Sequence, residues 1–152
     1  MELILWRHAE AEDGGDDMAR ALTKRGHRQA ALMAAWLGRR VDAKWLVLCS
    51  PARRAVQTVE PLRRPFEVRD RLSPMAGSQD VLRESGWPDA KANVIVVGHQ
   101  PTLGQVAASL MGAGLGDISM RKGAIWWFAT RHRDDERSTI LKAVLNPGLL
   151  ED

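Results

Sequence analysis

The stretch ELILWRH (2–8) decides the fold. A short, nearly apolar run stops abruptly at Arg7 and His8, so a buried strand delivers a guanidinium and an imidazole at its carboxyl end. Two further segments repeat the layout: WLVLC (45–49) runs into SPARR (50–54), and NVIVVG (93–98) runs into HQP (99–101). The carboxyl ends of strands in a parallel α/β sheet open onto one crevice, where ligands bind. Three such ends bring His8, His99, Arg7 and Arg54 around one small pocket. It is electropositive, rich in donors, and suited to phosphate and to accepting a phosphoryl group.

Working outward, 2–6 is a strand and 10–20 (EAEDGGDDMAR) an acidic, glycine-containing loop. Thr23 caps a helix over 24–39, with Leu22, Gly26, Ala30, Met33 and Leu37 on one face. After the strand 45–49, Ser50 and Pro51 read as a helix start, the helix running to Arg63 or Arg64 before Pro65. A short strand is expected over 66–68 and a short helix near 78–85. The β-branched run NVIVV reads as a central strand covered on both faces. Pro101 opens a helix carrying Leu103, Val106, Ala107, Leu110 and Met111 at helical spacing. MGAGLGD (111–117) is a flexible connection: it follows a helix, and Asp117 stands where a nucleotide loop needs its third glycine. AIWWFAT (124–130) and STILKAVL (138–145) form a hairpin across RHRDDER, with one of Trp126 and Trp127 packed inward. The expected architecture is one α/β domain over 1–152, three layers deep, with a mainly parallel central sheet flanked by helices.

A chain of 152 residues can bury a real core. Its net charge of +3 suits an anionic ligand but not a nucleic-acid surface, which needs a clustered basic face. One cysteine excludes an internal disulfide framework and points to a reducing cytoplasm. No basic leader with an apolar core opens the chain, and no apolar stretch is long enough to span a bilayer, so no membrane association is expected. Cys49 lacks the arginine six positions on that a cysteine phosphatase needs, since Ala55 stands there, and it reads as a buried residue. His27 and His132 read as surface residues.

Arginine forks match the oxygens of a phosphoryl group and keep their charge. Arg7 and Arg54 supply them, with Ser50 and the backbone N–H groups of its helix start as further donors. Neighbouring cations disfavour a protonated imidazole, which leaves His8 neutral and nucleophilic. His99, if protonated, donates to a further oxygen. No metal is expected, because the arginines repel a cation and His8 and His99 lack a third ligand; no other cofactor is implied.

WRHAE (6–10), LTKRGHRQA (22–30), SPARRAVQT (50–58) and VGHQP (97–101) together resemble the histidine phosphatase superfamily, of phosphoglycerate-mutase-like fold, and most of all its short SixA-type branch of phosphohistidine phosphatases. The resemblance implies that His8 forms a phosphohistidine intermediate and that Arg7, Arg54 and His99 complete the phosphate pocket. Gly26 and Gln29 match the pattern in structural roles. Ala9 departs from the usual Arg-His-Gly. The implied substrate is a phosphorylated histidine of a signalling or phosphorelay protein, such as a histidine-phosphotransfer domain, or a small phosphorylated molecule.

The general acid is the open position. Glu10 is the nearest carboxylate in sequence, ahead of Glu12 and Asp80. An alkoxide leaving group needs a positioned proton donor, worth about 10²–10⁴-fold, whereas a phosphoramidate is already activated. A compact pocket without a strong acid therefore favours phosphohistidine. The alternatives are a general or small-molecule phosphomonoesterase with Glu10 as acid, and a catalytically silent phosphate-binding module.

Overall fold

A computed structural model describes residues 1–112 and 118–151. One six-stranded sheet runs through it: β1 (Glu2–Arg7), β2 (Leu46–Cys49), β3 (Glu67–Val68), β4 (Val94–Gly98), β5 (Ile125–Arg133) and β6 (Glu136–Leu145), in spatial order β3-β2-β4-β1-β5-β6. The first four in that order are parallel, and the β5–β6 hairpin extends the sheet antiparallel beyond β1.

The period-two alternation of β1 explains the layering. Ile4 and Trp6 point to one face, where Met33 and Leu37 of α1 (Lys24–Gly38) and Ala55 and Val59 of α2 (Arg53–Val59) cover them. Leu3 and Leu5 point to the other, against Val81 of α3 (Ser78–Ser85) and Leu103, Val106 and Ala107 of α4 (Thr102–Leu110). β4 is buried along its whole length, as a strand between two helical layers must be. The α/β sandwich expected from the sequence is the one observed.

Thr23 caps α1 as its position predicts, its Oγ1 accepting from Gly26 N at 2.9 Å. The second helix differs at both ends. It begins at Arg53, because Ser50 Oγ accepts the Ala52 N–H in a turn (3.2 Å) and Ala52 stays extended. It stops at Val59, because Pro61 has no N–H to continue the ladder; a 3-10 turn (Glu60–Leu62) follows, ended by Arg63 in the left-handed region. The hairpin strands are longer than predicted. The charged segment RHRDDER, expected as the turn, is itself paired except at Asp134 and Asp135, both with positive φ, which make the bend. Trp127 is buried, meeting Trp36 and Trp45 edge-on, while Trp126 is half-buried. From residue 113 on, the glycine-rich connection lies outside the described residues.

Gly26 is a point of close approach. A Cβ there would run into the Glu10 carbonyl oxygen, two positions after His8. Gly26→Ala is therefore expected to cost about 1–3 kcal/mol of stability. An unchanged urea midpoint would show that the loop after β1 gives way freely.

Candidate active site

The strand ends meet as their register requires. The parallel ladder continues past β1 and β2, with His8 N donating to Gly98 O at 3.1 Å and Ser50 N to Val97 O at 3.0 Å. His8, Ser50 and His99 thus stand side by side at one edge of the sheet. The His8 and His99 rings lie 5.2 Å apart, centroid to centroid. Both are buried, as is Arg54, at 6%, 4% and 3% exposure. Together with Arg7 they line a cavity of about 170 Å³, small enough to enclose little more than one tetrahedral anion and the atom it is attached to.

The hydrogen bonds assign the tautomers. His8 Nδ1 lies 2.8 Å from Ala9 O, an acceptor, so Nδ1 carries the proton. Its Nε2 lone pair then faces the Arg54 Nε–H at 3.4 Å. His99 Nδ1 is 3.4 Å from Arg54 Nη2, which can only donate, so the His99 proton sits on Nε2 and bonds Ser50 Oγ at 2.7 Å. One guanidinium thus addresses both imidazole lone pairs.

Electrostatics keeps both rings neutral. Burial, reinforced by the charges of Arg54, Arg7 and Arg20, pulls His8 down to about 4 against the bond to Ala9 O. Burial, then the charges of His8 and Arg54, pulls His99 down to about 3, with Asp17 opposing. His99 is therefore neutral in the free site, where the condition for its donating to a further oxygen is not met. Burial also pushes the Cys49 thiol up to about 12, so Cys49 is an inert core residue here.

Two residues proposed for the site sit elsewhere. Glu10 lines a neighbouring groove rather than the cavity, and its carboxylate accepts from Thr23 Oγ1 (2.9 Å) and faces Arg25 (3.6 Å). Nor do the other two carboxylates line it: Glu12 is exposed, and Asp80 closes the start of α3 through the Gly77 N–H. Ser50 does not line the cavity either. Its hydroxyl is spent on His99 and on Ala52 N, so it positions His99, and with α2 beginning at Arg53 no helix start at Ser50–Pro51 offers N–H groups to a ligand. Ala9 raises no conformational difficulty, being absent from the residues with positive φ.

Other residues at the cavity went unforeseen. Arg20 and Lys122 line it, Arg20 as the one cation ending the acidic loop and Lys122 beside the Gly123 N–H that donates to His8 O at 2.9 Å. Asp17 ties the loop down: its backbone oxygen and carboxylate accept from Arg54 at 2.6 and 3.2 Å, and its carboxylate pairs with Arg20 at 3.0 Å. Desolvation raises the Asp17 pKa, but the bonds and charges of Arg54 and Arg20 outweigh it and hold the group below its usual value. The only sequence signal for this clamp was an arginine three positions after an aspartate in the loop.

Two neutral imidazoles in a ring of guanidinium groups suit the handling of phosphate, the chemistry of the phosphatase class. The family model of the histidine phosphatase superfamily (branch 1) matches residues 3–79, and the chain belongs to that superfamily; by family it is a phosphatase. The phosphohistidine phosphatase SixA of Escherichia coli (strain K12) is 33% identical over 120 residues, covering 72% of this chain and 74% of the relative. An uncharacterized protein of Mycobacterium leprae (strain TN) is 36% identical over 101 residues, 64% of this chain and 62% of that protein's own length. The solved structure of the protein histidine phosphatase SixA complexed with tungstate matches at a TM-score of 0.76 and 27% identity, over 99% of this chain and 100% of that one.

The unfolded chain protonates histidine near 6.5, whereas the folded one does so only near 4 and 3 at these two positions. The unfolded state therefore binds more protons in between, and stability falls as pH drops from about 6.5 toward 4. Imidazole resonances of His8 and His99 in the free protein should stay in the neutral form at pH 6; titration of either ring near 6.5 would contradict the assignment.

Proposed function

We propose that this protein is a phosphohistidine phosphatase that removes the phosphoryl group from a histidine of a signalling or phosphorelay protein, a histidine-phosphotransfer domain being the type of carrier it suits, through a covalent intermediate on His8. One observation carries the proposal: the Nδ1–H of His8 is fixed on Ala9 O, which leaves the Nε2 lone pair aimed into a cation-lined cavity. The names of its relatives support the substrate, and the tungstate held by one of them is an oxyanion of phosphate-like charge.

In the first step His8 Nε2 attacks phosphorus, the N–P bond of the substrate breaks, and its electron pair leaves on the departing imidazole, which takes a proton from water. In the second, water attacks the phosphohistidine of the enzyme, releasing inorganic phosphate and restoring the Nε2 lone pair. Arg54 and Arg7 stabilise charge on the phosphoryl oxygens as it builds. Arg7 is prepared for this: its Nη1 is anchored on Met120 O at 2.7 Å, while its buried Nε has no protein partner among the described residues. The dianion offsets the cations that suppress protonation of His99, whose Nδ1 faces the same cavity. The proposal includes a reducing, cytoplasmic setting, in keeping with a single cysteine.

With Glu10 outside the cavity, a general phosphomonoesterase lacks its proton donor. Phosphohistidine should be hydrolysed at least 10²-fold faster than an unactivated alkyl phosphate, the contribution a positioned acid commonly makes. Equal efficiency on the two would defeat the assignment. Labelled phosphate should be trapped on the wild type and not on His8→Ala, and a silent binding module would trap none. Arg54→Ala should cost about 10²–10³ in rate, as loss of one preorganised charge-stabilising group does.

A further inference from the structure

A second depression, of about 750 Å³, opens beside the catalytic cavity and shares Arg7 and Lys122 with it. Its walls come from parts of the chain far apart in sequence: the first turns of α1, the segment before β5, and the C-terminal turn around Pro147. Their charges are lopsided. Arg25, Arg121 and Lys122 face Glu10 alone, and Glu10 is already engaged by Thr23 and Arg25. Arg121 and Lys122 are exposed and form no ion pair with a described residue. At the far wall Leu149 stands 70% exposed, an apolar contact beside the cations.

Several occupants are disfavoured by this lining. A small phosphorylated molecule fills the 170 Å³ cavity and leaves a depression more than four times larger unused. A single-stranded nucleic acid would want aromatic faces to stack on, and no aromatic side chain among the described residues lines the groove. A polypeptide segment, whose side chains can reach the cations and the apolar wall at once, suits this mixed lining. We infer that this groove seats acidic polypeptide flanking the phosphorylated histidine, with carboxylates on Arg25 and Arg121 and an apolar side chain against Leu149. This deepens the proposed function and rests on it, since the phosphohistidine must sit in the adjoining cavity.

Fluorescent peptides centred on a stable phosphohistidine analogue, flanked by aspartate and glutamate, by serine and glycine, or by lysine, test the groove by anisotropy. The acidic peptide should bind about tenfold more tightly than the neutral one, and the lysine peptide most weakly, as a few exposed charge pairs provide. The preference should shrink at about 0.5 M salt, where such charges are screened. Arg121→Glu should remove about tenfold from the acidic peptide and leave the neutral one within about twofold; Arg121→Gln should fall between. Equal binding of the three peptides, or an acidic peptide indifferent to Arg121→Glu, overturns the inference. So does a small phosphorylated dicarboxylate that binds as tightly as the acidic peptide and loses as much in Arg121→Glu. Hydrolysis of the corresponding authentic phosphohistidine peptides is read separately: its failure counts against the proposed function, while the binding comparison still decides the groove.

Discussion

The site depends on one guanidinium held between two imidazole lone pairs. Arg54 is almost entirely buried, yet among the described residues no carboxylate of the core neutralises it; its partners are the two rings and an exposed aspartate of the loop before α1. A buried cation is tolerable only when its donors are satisfied, and Arg54 meets that requirement by demanding acceptors of both histidines. Each ring must then be neutral and must turn its proton outward, His8 to Ala9 O and His99 to Ser50 Oγ. The charge that would receive a phosphoryl group in the proposed reaction adds to burial in keeping His8 unprotonated.

The surrounding fold supports that arrangement through short backbone links. Thr58 Oγ1, inside α2, donates to Arg54 O at 2.7 Å and accepts from Ala9 N at 3.0 Å. The helix that carries the guanidinium therefore also fixes the residue whose carbonyl sets the His8 tautomer. On the next residue, Gln29 of α1 accepts the Glu10 N–H at 3.0 Å, while Gly26 lets the helix approach that backbone. The bulky layers, with Trp6, Met33 and Leu37 on one face and Leu3, Leu5 and Leu103 on the other, make the sheet edge rigid enough for these contacts to persist.

The sheet and the convergence at its edge were legible because both follow from local patterns. Apolar runs ending in His, Arg or Ser mark buried strands that finish at a polar crevice, and the Thr23 cap and the helical periodicities mark the layers. What escaped depended on three-dimensional competition for a single group. Ser50 looked like a helix cap, but its hydroxyl serves a turn and His99 at once. Glu10 looked near because it follows His8 by two positions; the chain bends after Ala9, and the carboxylate turns to Thr23 and Arg25. Pro61 was a readable stop just beyond α2, where the sequence reading carried the helix on to Arg63 or Arg64. The Asp17 clamp had almost no signal, since an acidic loop with two glycines predicts mobility rather than a contact with a buried arginine.

That clamp bears on the missing acid. Asp17 is the carboxylate that pairs with Arg54, but two guanidinium groups hold it ionised, the state in which it can accept a proton and not give one. An ionised carboxylate bonded to Arg54 also disfavours loose retention of anions, so a phosphoryl group bound as proposed would have to gain from Arg7, Arg54 and Lys122 together what Asp17 opposes. On the proposed reading such a site discriminates by leaving group. A nitrogen leaving group that water can protonate needs no donor from the enzyme, whereas an alkoxide would meet a cavity lined by cations and by no carboxylic acid among the described residues.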